Sequence, residues 1–134
     1  MPRAGQVLFH KNFIYDNGST GEKLLIALNT CDNEETCLVL KTTSQPKRYA
    51  YAVPGCNSGK GIFCIFEECE QGFPDDTYVQ LDSIYPINVE LLLNSGQVSF
   101  IDHLSEVCFT NLKRCLRNFR EDIPQQYWTI IYSP

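Results

Sequence analysis

The chain has 134 residues and a hydrophobic fraction of 43%, which is enough for one domain with its own core. No apolar run approaches the roughly 18 residues of a membrane span, and the N-terminus lacks the continuous apolar stretch of a secretion signal. The net charge of -5 disfavours nucleic acid, yet residues 1–61 carry seven Lys/Arg against five Asp/Glu. We therefore expect a single domain over residues 1–134, no membrane partner and, by default, a cytoplasmic location.

The seven cysteines are an odd number, which argues against a closed disulfide framework and favours reduced thiols. Cys31 and Cys37 flank one turn and could approach each other across a hairpin. Cys56, Cys64 and Cys69 lie close in sequence, but no Cys-x-x-Cys pair presets the geometry that zinc requires. We predict that the cysteines act as small buried apolar residues, and we expect no metal or other cofactor.

The first two thirds of the sequence predict short β-strands separated by turns. Residues 6–15 are rich in strand formers and end at the Asn-Gly-containing segment 16–21. Residues 24–28 form a continuous apolar run, as expected of a strand that is buried on both faces. Further strands are predicted at residues 37–40, 49–53, 62–66 and 77–81. Short strands at this spacing are typical of a small barrel or sandwich.

After residue 86 the pattern becomes helical. Residues 89–93 fit either a strand or a helical turn. Ser105 is a candidate N-cap for a helix over residues 106–119, whose apolar positions repeat at helical spacing. A short helix is predicted from Pro124, with four apolar residues on one side: Ile123, Tyr127, Ile130 and Ile131. The predicted fold class is mostly β with C-terminal α (α+β).

Two groups of polar residues allow both a functional and a structural interpretation. The last turns of the first predicted helix carry four cations that suit the helix dipole and could contact phosphates: Lys113, Arg114, Arg117 and Arg120. His103 follows Asp102, which invites an acid–base role, but sequence neighbours in an extended segment point to opposite faces. For both groups we favour the structural interpretation.

One cation and a cluster of hydroxyls lie at the ends of two predicted strands. Lys23 precedes the run at residues 24–28, and Thr42, Thr43 and Ser44 follow the strand at residues 37–40. If the two strands pair, the ammonium group and the hydroxyls converge at one end of a sheet. Such a combination can grip a phosphate, although a loop cation and a hydroxyl-rich strand end are common in any β domain.

Three short segments in order carry a resemblance to a known family. Gly5-Gln-Val-Leu-Phe, Phe13-Ile-Tyr-Asp-Asn-Gly18 and Gly21-Glu-Lys23 precede an apolar strand, and a second strand runs into Thr43-Ser44. This order resembles the MazF/PemK toxin family over nearly the whole chain. The family consists of cytoplasmic endoribonucleases of toxin–antitoxin pairs, with an SH3-like β-barrel plus helices and a homodimeric assembly.

The resemblance implies a metal-independent endoribonuclease that cleaves single-stranded RNA and is neutralised by an antitoxin protein. Lys23 takes the place of the family's catalytic arginine, and Thr43 that of its threonine. Ser44, Asn17 and Gly18 are then candidate RNA-binding residues. A lysine departs from the family at the principal catalytic position, since an ammonium group lacks the planar fork that grips phosphate bidentately.

The alternative is a catalytically inactive SH3-like barrel that acts as a protein-binding module. Such a module would contact its partner through exposed aromatic residues, for which Tyr49, Tyr51 and Tyr78 are candidates. The same tyrosines could equally be core or packing residues.

Overall fold

Seven antiparallel strands form one sheet in the computed structural model, which describes residues 3–15, 17–31, 37–43, 52–65, 76–88 and 94–132. The strands are β1 Gln6–Ile14, β2 Thr20–Ala27, β3 Cys37–Thr43, β4 Gly55–Asn57, β5 Ile62–Ile65, β6 Thr77–Ile87 and β7 Val98–His103. They are followed by the helices α1 Glu106–Leu116 and α2 Gln125–Tyr132, which a 3-10 segment at Arg117–Asp122 connects. The predicted mostly β fold with two C-terminal helices is confirmed.

β3 occupies the middle of the sheet, whose strand order is β4-β5-β6-β3-β2-β1-β7. Its neighbour β2 carries the apolar run, and alternate residues of that run pack on opposite faces. Ile26 belongs to the cluster that includes both helices, whereas Leu25 and Ala27 belong to the cluster on the other face. The prediction that residues 24–28 form a strand buried on both faces is confirmed for these central positions.

The two helices largely follow the sequence pattern. Ser105 caps α1, since its side-chain oxygen accepts a hydrogen bond from the backbone N–H of Cys108 at 3.1 Å. α1 ends at Leu116, before the predicted residue 119, because the chain tightens into the 3-10 segment and Phe119 leaves the helical region. Ile130, predicted on the same side as Ile131, is 44% exposed. No helix formed by the described residues is long and apolar enough to span a membrane.

Several strand boundaries differ from the prediction. β4 and β7 were not predicted, and β2 begins at Thr20, inside the expected 16–21 turn. The tight turn at Ser58–Lys60 joins β4 to β5, as the glycine-containing sequence there indicates. Of the predicted strand at 49–53, residues 49–51 lie outside the described residues and the last two are not in a strand. Residues 89–93 also lie outside the described part of the chain.

The sheet is open in the part of the chain that the structure describes. Its hydrogen-bonded order begins at β4 and ends at β7, and these two strands do not pair with each other there. Closure into an SH3-like barrel therefore stays a prediction.

Two disulfides contradict the prediction of reduced thiols. Cys31–Cys37 closes the connection between β2 and β3, and Cys56–Cys115 links β4 to α1. The odd cysteine count is compatible with these two disulfides, because other cysteines remain as thiols. Cys64 is one of them. Disulfides are rare in cytosolic proteins. The predicted cytoplasmic location therefore draws no support from the cysteines.

Loss of the Cys56–Cys115 bond should destabilise the fold more than loss of Cys31–Cys37. The bonds join residues 59 and 6 positions apart. In the chain-entropy description, a longer closed loop restricts the unfolded chain more, which gives about 4 against about 2 kcal/mol. Urea unfolding of the double variants C56S/C115S and C31S/C37S measures both losses. A larger loss in C31S/C37S would contradict this prediction.

Candidate functional site

The candidate site lies where the pairing of β2 with β3 stops. Their register pairs Ala27 with Val39 and ends at Leu25 with Lys41. Lys23 on β2 and Thr43 on β3 each lie two residues beyond this last pair. The strand ends are tied there by a side chain, since the Thr42 hydroxyl donates a hydrogen bond to the carbonyl oxygen of Leu24 at 2.9 Å.

A cavity of about 270 Å³ opens at this point. Seven residues line it: Phe9, Glu22, Lys23, Leu24, Thr42, Thr43 and Thr77. The lining brings together the two residues that the family resemblance singles out, one from each strand. Their convergence, expected if the strands pair, is observed.

Three threonines belong to the lining of the cavity, and the hydroxyl of one of them, Thr42, already donates to the Leu24 carbonyl oxygen. Thr42 and Thr43 come from the end of β3, and Thr77 begins β6; all three are buried. The β3–β6 register, which pairs Thr43 with Tyr78, places Thr77 beside them. Each threonine hydroxyl can donate one hydrogen bond and accept others. With the Lys23 ammonium in the same lining, the arrangement can hold an oxyanion such as a phosphate.

The β1–β2 hairpin positions Lys23. The Lys23 Nζ lies 5.1 Å from the ring centroid of Tyr15, and the Tyr15 hydroxyl donates to the carbonyl oxygen of Glu22 at 3.1 Å. Gly21 allows this packing, because a Cβ there would lie 2.8 Å from the Tyr15 ring. The ring attracts the ammonium electrostatically and restricts where it can go.

Asn17 and Gly18, predicted to bind RNA, do not line the cavity. They form the turn between β1 and β2, in which the Asn17 side-chain oxygen accepts hydrogen bonds from the backbone N–H and the hydroxyl of Ser19. Gly18 has φ 86°, a conformation that favours glycine. Their residue types thus have a structural reason, and their RNA-binding role stays a prediction. Ser44, the third predicted RNA-binding residue, lies outside the described residues.

Sequence reasoning included Thr42 only as a member of the hydroxyl cluster and assigned no role to Glu22 or Thr77. Glu22 adjoins Lys23, and Thr42 belongs to the hydroxyl cluster, so their nearness to the site was readable from the sequence. Thr77 was not, because only the β3–β6 pairing brings residue 77 close to residue 43.

The structure does not support a functional role for the other candidate residues His103, Cys64 and Tyr78. His103 Nδ1 lies 3.9 Å from Asp102 Oδ1, but the histidine is largely exposed and does not line the Lys23–Thr43 cavity. Burial, followed by the charge of Asp76, raises the pKa of the Cys64 thiol to about 11, which leaves it a poor nucleophile. Tyr78 is only 7% exposed, so of its two interpretations the structure supports the core residue and not the exposed protein contact.

Tyr49 and Tyr51, the other two tyrosines of the protein-binding alternative, lie outside the described residues. Cys56 is disulfide-bonded and therefore not a zinc ligand in this state. Among the described residues, no group of three or more His, Cys, Asp and Glu side chains could hold a metal ion.

Comparisons with models of known protein families and with curated proteins give no match to this chain. The resemblance to the MazF/PemK family rests on the residues quoted above.

Replacing Thr42 by valine tests the tie between the ends of β2 and β3. Valine keeps the shape of threonine but leaves the partly buried Leu24 carbonyl oxygen without the hydroxyl, which should lower the free energy of unfolding by about 1–2 kcal/mol. Chemical denaturation measures the change, with Thr20→Val as the control because Thr20 is an exposed threonine on the same strand pair. An equal change in both variants would mean that the hydrogen bond does not stabilise the strand ends.

Proposed function

We propose that this chain is a MazF/PemK-like toxin, an endoribonuclease that cleaves single-stranded RNA without a metal ion at the Lys23–Thr43 cavity. One observation carries the proposal. The two residues that the resemblance matches to the family's catalytic positions line the same cavity, although 20 positions separate them in the chain. An SH3-like barrel, a homodimer and an antitoxin protein as inhibitor belong to the same proposal.

The proposed reaction is an internal transfer at one phosphodiester. The ribose 2′-oxygen attacks the adjacent phosphorus, the new O2′–P bond forms, and the P–O5′ bond breaks. The products are a 2′,3′-cyclic phosphate and a free 5′-hydroxyl. Because the nucleophile belongs to the RNA, the protein has to position the phosphate and stabilise the charge that develops on its oxygens.

The lining residues have chemistry that suits these tasks. Lys23 supplies a positive charge, and the Thr43 hydroxyl donates a hydrogen bond to a non-bridging oxygen. Glu22 lines the same cavity and is the carboxylate that accepts the proton of the attacking 2′-hydroxyl. The departing 5′-oxygen takes a proton from the Lys23 ammonium or from water.

Of the groups in this arrangement, the Lys23 ammonium is the one least suited to binding a phosphate. An ammonium group binds phosphate as a point charge, whereas a guanidinium group offers two parallel N–H donors. Thr43 and Thr77 are buried in the same lining and carry hydroxyl groups that can bind phosphate oxygens, which supports the proposal that a lysine suffices here. It follows that Lys23→Arg should retain or raise activity.

Cleavage of a long single-stranded RNA by the purified protein, with chelator present, tests the proposal. Lys23→Ala and Thr43→Ala should each lower the rate by roughly 100-fold or more, because each removes a group that stabilises transition-state charge. Glu22→Gln should lower it by a similar factor and shift the pH profile, since it removes the base. Lys11→Ala is the matched control, because Lys11 is an exposed lysine on β1 outside the cavity.

RNA that stays intact, or cleavage that survives in both Lys23→Ala and Thr43→Ala, would overturn the nuclease proposal. A melting curve for each variant separates a lost catalytic group from a lost fold. If RNA binds without cleavage and Lys23→Ala abolishes binding, the cavity is a phosphate-binding site without catalytic function.

A further inference from the structure

A second cavity, of about 280 Å³, lies along one face of α1 beside the end of α2. Five residues line it: Thr110, Lys113, Arg114, Arg117 and Tyr132. Thr110, Lys113 and Arg114 lie on α1, and Arg117 follows it as the C-cap residue with helical backbone angles. Their spacing of i, i+3, i+4 and i+7 places the four on one face. The lining contains three cations and two hydroxyls and no carboxylate. It has no residue in common with the Lys23–Thr43 cavity.

Aromatic rings hold two of these cations in place. The guanidinium carbon of Arg117 lies 4.2 Å from the centroid of the Tyr132 ring, and the Lys113 Nζ lies 5.3 Å from the same centroid. Tyr132 is itself fixed to α1, because its hydroxyl donates to the carbonyl oxygen of Lys113 at 2.5 Å. The positions of the two cations are therefore set before any ligand arrives.

The cations of this cavity form no ion pair with any carboxylate of the described residues. Within the residues that the structure describes, no carboxylate oxygen lies within 4.0 Å of Lys113, Arg114 or Arg117. Burial lowers the pKa of Lys113, and the charge of Arg117 lowers it further, as expected of two cations that share a partly desolvated space. An anion in the cavity would relieve this repulsion.

We propose that the cavity lined by Lys113, Arg114, Arg117 and Thr110 binds a phosphate group in its doubly charged form, as inorganic phosphate or a terminal phosphate monoester. Two guanidinium groups can each offer paired N–H donors to phosphate oxygens, and the ammonium and the Thr110 hydroxyl add further donors. A doubly charged phosphate matches three cations better than the single charge of a phosphodiester. The site is thus distinct in chemistry from a site that binds the RNA backbone.

Calorimetric titration at pH 7.5 and constant ionic strength tests this proposal. Its probes are inorganic phosphate, adenosine 5′-monophosphate, adenosine and dimethyl phosphate. We expect saturable binding of one phosphate per chain and much weaker binding of dimethyl phosphate, which carries one charge. If the monophosphate binds more tightly than phosphate and adenosine alone does not bind, the ligand is a monoester. If inorganic phosphate binds more tightly, the ligand is the free ion.

Variants of arginines on α1 and on the 3-10 segment that follows it locate the site. Arg117→Gln and Arg114→Gln should each weaken phosphate binding by about tenfold, because each removes a charge-assisted pair of donors. Arg120→Gln is the matched control. Arg120 also stacks on a ring, with its guanidinium carbon 4.5 Å from the centroid of Trp128, but it does not line the cavity. Arg114 is exposed, so its variant tests the site even if Arg117→Gln unfolds the chain.

Three results would overturn the proposal. The first is no saturable binding up to about 10 mM phosphate. The second is an equal loss in Arg120→Gln and Arg114→Gln, which would indicate general attraction to a basic helix. The third is dimethyl phosphate binding as tightly as phosphate. None of them bears on the nuclease proposal, whose variants lie in the other cavity.

Discussion

The pairing of β3 with both β2 and β6 is the constraint on which the rest of the structure depends. Residues of β3 are buried on both faces, so a shift of its register by one position would exchange the two cores. The cluster that includes α1 and α2 needs Leu38 and Leu40 on one face, and the second cluster needs Val39 on the other. With this register fixed, the positions of the polar residues at the strand ends follow.

The cavity forms because the strands separate where their sequences stop being apolar. β2 pairs with β3 only through three residue pairs, the last of them Leu25 with Lys41. Beyond that pair β2 still pairs with β1 but no longer with β3, and the Thr42 hydroxyl satisfies one carbonyl oxygen on the side facing β3. The same polar residues that end the pairing thus line the space that it leaves. A candidate site at this place needs no special loop, only two strands that end together.

The sequence predicted this convergence, because it required only that two adjacent apolar strands pair antiparallel. It also predicted α1 and its Ser105 cap, since both depend on local spacing. It did not predict β7, whose residues are mostly exposed and lack the alternation of a half-buried strand. Nor did it predict the bond between Cys56 and Cys115, because that contact depends on how α1 packs against β4, 59 positions away.

Thr77 illustrates the same limit at the candidate site. Its place in the cavity depends on the β3–β6 register, which includes an irregularity between Leu40 and Thr42 that no local pattern indicates. Local chemistry therefore predicted the residues contributed by each strand end. The residues contributed by neighbouring strands could be predicted only once the strand pairing was known.

In both cavities an aromatic ring positions a cation, which keeps positive charge in place within a protein that is acidic overall. The chain carries a net charge of -5, so its overall field repels phosphate. A carboxylate partner would position a cation but cancel its charge, whereas a ring attracts the cation without adding a formal charge. Tyr15 beside Lys23, and Tyr132 beside Lys113 and Arg117, therefore place positive charge where the global balance opposes it. Since a surrounding negative field is screened within about 10 Å at 0.1 M salt, such local cations decide whether a phosphate binds at contact distance.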